Sequence, residues 1–275
     1  MPVFCTKKNS GWRGIVLVLA LLAGTGTPVA ADDSASPDTQ IWRKVRADLF
    51  GERPISDDGA TGRIRLEMPP RAADAAVVPL SVRITPREGE TRPNKLYLVI
   101  DRNPSPIAGI FEFGKGSGNT ELETRVRIEE YTWVRVIAEA EDGTLFATQR
   151  FIKAAGGCSA PAGKSLAERL TGMGQMKWRI DPASDPGLPA TVQLMIRHPN
   201  NSGLAMDQLT RLYDPPYYVR SVRVTRGNEL VLAADVDFSV SENPTFRFTM
   251  TPAVPGTLHA LVIDSNEQVF ESSAP

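Results

Sequence analysis

Two spacings of apolar residues divide the chain. Ile41, Val45 and Leu49 recur at every fourth place through IWRKVRADLF, which is one face of a helix, and Gly51 supplies a stop. A short amphipathic helix is therefore predicted there. From Ile64 onward the spacing falls to two. Ile64, Leu66 and Met68 alternate with polar residues, and so do Val78, Leu80, Val82 and Ile84. Leu96, Leu98 and Ile100, then Leu122, Thr124, Val126 and Ile128, continue the pattern. Val134, Val136 and Ala138 follow, then Ala147, Gln149 and Phe151, each set being the half-buried face of a strand. Pro69-Pro70, Pro86, Asn103-Pro104, Gly114 to Asn119 and Asp142-Gly143 fall between the runs as turn signals. With Ile107 to Phe113, about seven short strands result, the number expected of an immunoglobulin-like sandwich.

The rhythm breaks from Gly156 to Pro189. GGCSAPAGK and DPASDPGLP read as loops, with a brief helix capped by Ser165 and Glu168 between them. Alternation resumes at Val192, Leu194 and Ile196, and returns at Val222-Val224, Leu230 to Val236, Phe246 to Met250 and Leu258 to Val262. The chain is thus expected to be all-β: two immunoglobulin-like β-sandwich domains in tandem, with a short N-terminal helix. The divisions are 1–31, a signal peptide; 32–155, the first sandwich; 156–189, a Gly-Gly-Cys arm and linker; and 190–275, the second sandwich.

The first 31 residues carry Lys7, Lys8 and Arg13, then an uncharged apolar run from Ile15 to Ala23, then small residues up to Ala31. That order is a secretory signal peptide cleaved near Ala31, and the run is too short to span a bilayer. The expected location is periplasmic. The 275-residue chain has a net charge of −1, from 31 basic and 32 acidic residues. Loss of residues 1–31 removes three positive charges and would leave −4. This balance offers no basic surface for nucleic acid, and no membrane association is expected after cleavage.

Cleavage also removes Cys5 and leaves Cys158 as the lone thiol. An unpaired cysteine in an oxidising compartment is either a working thiol or an incidental one, and the residues alone leave both open. Gly156 and Gly157 before it, with Ser159 and Ala160 after it, predict an exposed, flexible arm rather than a core position. A second cysteine for a dithiol is missing. Gly157 to Ser165 has one residue too many for a phosphate-binding loop. His198 and His259 are the only histidines, too few for metal or triad chemistry, and no acidic pair has a spacing that suggests glycoside hydrolysis. No cofactor and no metal are expected. His198-Pro199 closes a strand and is read as a turn or interdomain contact.

Taken in order, these motifs resemble a known pair of proteins. LEMPPRAADAAVVPLSVRI, Asn103-Pro104-Ser105-Pro106, Thr124 to Arg127 and Gly156-Gly157-Cys158 look like SoxY, the sulfur-oxidation carrier subunit. Met195-Ile196-Arg197-His198-Pro199, Gly203, Ser221-Val222 and Ser241 to Phe246 look like its partner SoxZ. The resemblance implies β-sandwich folds and a non-enzymatic role in which Cys158 carries a covalent adduct to periplasmic redox enzymes. It places Gly156 and Gly157 in the carrier arm, and His198 and Pro199 in the SoxZ portion. Four features depart from the pair: both lie in one chain, Ser159 follows the cysteine, the loop after His198-Pro199 reads Asn200-Asn201-Ser202-Gly203, and a helix surrounds Trp42. The departures resemble SoxYZ-like proteins associated with quinoprotein dehydrogenases. For that subgroup an adaptor or assembly role, with the thiol incidental, stands as the alternative.

Overall fold

The computed structural model describes residues 1–3, 38–58, 62–160, 165–207 and 211–274. The expected signal peptide lies almost wholly outside them. The described residues from 38 onward belong to one compact unit.

Strands β1 to β8 run Ile55–Asp57, Ile64–Glu67, Val78–Ile84, Pro93–Ile100, Ile107–Phe113, Thr120–Val126, Thr132–Ala140 and Leu145–Ile152. Strands β9 to β15 run Met176–Asp181, Ala190–Ile196, Val219–Arg226, Glu229–Val236, Thr245–Met250, Leu258–Asp264 and Val269–Ser273. Among the described residues they form a nine-stranded sheet, β1-β8-β7-β4-β5-β12-β11-β14-β15, and a six-stranded sheet, β2-β3-β6-β13-β10-β9. Alternation does what the sequence requires. In β3 Val78, Leu80, Val82 and Ile84 are buried while Pro79 and Arg83 face outward.

Both sheets pass through both halves of the chain. β5 pairs antiparallel with β12, with Phe111 opposite Ala234, and β6 meets β13 at Glu123 and Arg247. One apolar core accordingly contains Phe111 and Val136 from the first half and Phe246 and Val262 from the second. The two immunoglobulin-like sandwiches are joined edge to edge.

Helix α1, Gln40–Phe50, covers the outer face of the larger sheet. Val45 and Phe50 pack on Val99, Ile137 and Leu145, which explains why β7 is buried on both faces. Arg135 in β7 pairs with Asp101 at 2.7 Å, with side chains 2% and 0% exposed, and lies 4.7 Å from the Trp42 ring. The α1 N-cap residue, Thr39, donates its hydroxyl to the same Asp101 carboxylate. Helix and sheet are therefore locked through one buried charge pair.

The 156–189 stretch, expected to be linker, contains ordered structure. The short helix α2, Leu166–Leu170, has the anticipated reciprocal Ser165–Glu168 cap. β9 was not anticipated and forms the edge of the smaller sheet against β10. Its Met176, Trp178 and Ile180 alternate with Lys177, Arg179 and Asp181, the same two-residue spacing seen elsewhere.

Candidate functional site: a docked thiol between the two halves

The exposed, flexible arm expected around Cys158 is replaced by a docked one. Cys158 is 1% exposed. Gly156 adopts φ +79°, where a side chain is disfavoured, and its N–H donates to Glu129 O at 2.8 Å. The Gly157 N–H donates to Ile128 O at 2.9 Å. A Cβ on Gly157 would lie 2.0 Å from Ala75 O, so only glycine permits this approach. The glycines serve fit here rather than freedom.

The Glu129 carboxylate holds the next two residues. Its Oε2 accepts the Cys158 N–H at 2.8 Å and the Ser159 N–H at 3.1 Å, and its Oε1 accepts the Ser159 hydroxyl at 2.7 Å. From the other half of the chain, the Ser202 hydroxyl donates to Cys158 O and accepts the Leu204 N–H. Cys158 thus lies where the two halves meet, bonded to both.

Arg127, two residues before Glu129, ties the halves together around the thiol. Its Nη1 donates to Asn200 O at 2.8 Å, Val240 O at 2.9 Å and Phe238 O at 3.1 Å. Asn103, from the Asn-Pro-Ser-Pro segment, donates to Arg127 O and Ser239 Oγ while its Oδ1 accepts the Glu129 N–H. The motif fixes the segment after β6 that bears both charges.

The electrostatics oppose ionisation of the thiol. Burial pushes Cys158 up to about 12, and Glu129 and Asp237 push the same way while Arg127 opposes them. Asp237 is itself raised to about 6 by burial, and its Oδ2 is buried with no hydrogen-bond partner. The docked sulfur is a neutral S–H at neutral pH and a poor nucleophile, because the thiolate is the reactive form.

His198 supports this arrangement from a distance. Its Nδ1 accepts the Asn200 N–H at 3.1 Å, its Nε2 faces Asp264 Oδ2 at 3.5 Å, and Tyr217 stacks edge-on with ring centroids 4.8 Å apart. Burial lowers the His198 pKa against the pull of Asp264, so the ring is neutral. It shapes the turn through Pro199 that presents Asn200 to Arg127 and Ser202 to Cys158. Arg169 of α2 braces the same loop by bonding Asn201 and Asp214. The sequence pointed to Cys158, Gly156, Gly157, His198 and Pro199. It did not single out Glu129 or Ser202, and Arg127 entered only as the end of the Thr124 to Arg127 motif. No cluster of three metal-ligating side chains occurs among the described residues.

A double β-sandwich that closes a single cysteine arm between its halves is the class that fold and site define. Residues 46–158 match the family model of the sulfur oxidation protein SoxY, and residues 178–275 match that of the sulphur oxidation protein SoxZ. The chain belongs to the SoxY and SoxZ families, as a fusion of the two. The SoxY match ends on Cys158 itself. No curated protein matches the chain.

Proposed function

We propose that this protein is a non-enzymatic carrier in sulfur oxidation, holding a covalent sulfur adduct on Cys158 and presenting it to partner redox enzymes. The observation that carries this reading is the position of Cys158: last residue of the SoxY match and bonded to the SoxZ half through Ser202. The docked state is the resting form. An undocked arm regains an ordinary thiol pKa, and its thiolate can then take up sulfur. With hydrogensulfite, for instance, the thiolate forms a sulfur–sulfur bond as the hydrogensulfite proton and two electrons leave, and the partner redox enzyme accepts the electrons.

The signal-peptide-like order of residues 1–31 supports a periplasmic setting for this activity. Among the described residues no helix is long and apolar enough to cross a membrane. Gly156 and Gly157 act as the hinge of release and His198-Pro199 as the support of the receiving loop.

The burial of Cys158 and its raised pKa favour a second reading, an adaptor or assembly factor for a periplasmic quinoprotein dehydrogenase with an incidental thiol. Two strains separate the readings. If Cys158→Ser cells lose reduced-sulfur oxidation as completely as a deletion strain, the carrier stands. If they keep full activity while the deletion strain does not, the adaptor replaces it.

A further inference from the structure

Resting on the carrier reading, one consequence concerns whether the loaded arm docks again. Two carboxylates act on the docked thiol. Glu129 grips the Cys158 and Ser159 N–H groups from one side. Asp237, following β12, holds its Oδ1 on the Ser239 N–H at 2.7 Å and leaves a buried Oδ2 unpartnered. The cation facing the thiol is Arg127, whose Nη1 is committed to three carbonyls. Its own further neighbours are Glu242, Asp74 and Arg169. The pocket suits a neutral sulfur.

Loading changes the sign of that fit. When the thiolate attacks an inner sulfur of tetrathionate, one S–S bond forms and one breaks. Thiosulfate leaves with the electron pair, the thiol proton goes to water, and an anionic thiosulfonate remains on Cys158. On docking again, that anion would meet two carboxylates in a space from which water is excluded, where like charges repel most strongly. We infer that the charge of the cargo decides whether the arm docks again: the neutral thiol rests in a pocket gripped by Glu129 and close to Asp237, and an anionic adduct, formed once the arm has opened, is kept out. An empty carrier would then return to the docked state, and a loaded one would stay open to a partner.

Four N–H groups report docking directly, because Gly156, Gly157, Cys158 and Ser159 all donate to Ile128 or Glu129. Hydrogen exchange at these amides is compared near neutral pH in Cys158→Asp and in its neutral isostere Cys158→Asn. The expected result is at least about tenfold faster exchange in Cys158→Asp, confined to residues 156–159, with the gap narrowed by adding Asp237→Asn. The wild-type chain alkylated with iodoacetate or with iodoacetamide gives the same contrast without substitution, and decides the matter if a variant misfolds. Equal exchange in the charged and neutral members of a pair overturns the inference. The carrier reading itself survives that outcome, since it depends on adduct formation and not on whether the loaded arm docks.

Discussion

At Cys158 the chemistry depends on a few contacts, each of which can be removed. Ser202→Ala deletes one hydrogen bond to the arm, worth about 1 kcal/mol. It should speed labelling of Cys158 by Ellman's reagent about fivefold with little change in melting temperature. Gly157→Ala has a larger effect, because its methyl would meet Ala75 O at 2.0 Å. This variant should expose the thiol and label about a hundredfold faster than the parent near pH 8, as thiolate content returns toward that of an ordinary cysteine. Unchanged labelling in both variants would mean the arm is not held as described. The sequence made the cysteine conspicuous, but two glycines read locally as mobility. Their partners, Ala75, Glu129 and Ser202, lie far away along the chain, so docking could not be read from the neighbourhood of Cys158.

The elements add two expectations. Helix α1 is anchored by the buried Arg135–Asp101 pair. Asp101→Asn leaves a buried guanidinium uncompensated and should cost about 3–5 kcal/mol, read from urea denaturation. The second expectation concerns pH. Asp237 is raised to about 6 in the folded protein, above its ordinary value of 3.8, so the folded state binds its proton more tightly than the unfolded state does. Its contribution is fully present below the unfolded pKa and is lost as pH rises through about 6. Asp237→Asn should remove that slope and raise the melting temperature above pH 6, a gain of about 1–2 kcal/mol. A variant no more stable than the parent there would contradict the burial of this carboxylate. Element assignment was largely legible from alternation, as β3 and its flanking proline turns show. β9 carried the same signal in Met176, Trp178 and Ile180, but it was hidden between loop-like stretches on either side.

On the scale of the whole molecule, two sandwiches were readable from strand counts and from the ordered SoxY-like and SoxZ-like motifs. Their union was not, because pairing between β5 and β12 is decided by edges that no local pattern describes. Five residue pairs join those strands, and the core passes through the joint. Co-expressed as separate chains, residues 38–160 and 165–275 should therefore co-purify as a stable pair. Recovery of two independent monomers would show that the covalent connection, rather than the shared sheets, holds the halves together. Continuity of this kind also explains the site: the receiving loop around Ser202 can grip an arm from the other half only if the two halves are rigidly joined.

The central claim is that Cys158 carries sulfur, and the mass of the protein tests it most directly. Protein recovered without reductant from cells oxidising reduced sulfur should show a population heavier than the bare chain. Peptide mapping should place the added sulfur or sulfur oxyanion on Cys158. A chain that always returns as the unmodified thiol under those conditions would contradict the account.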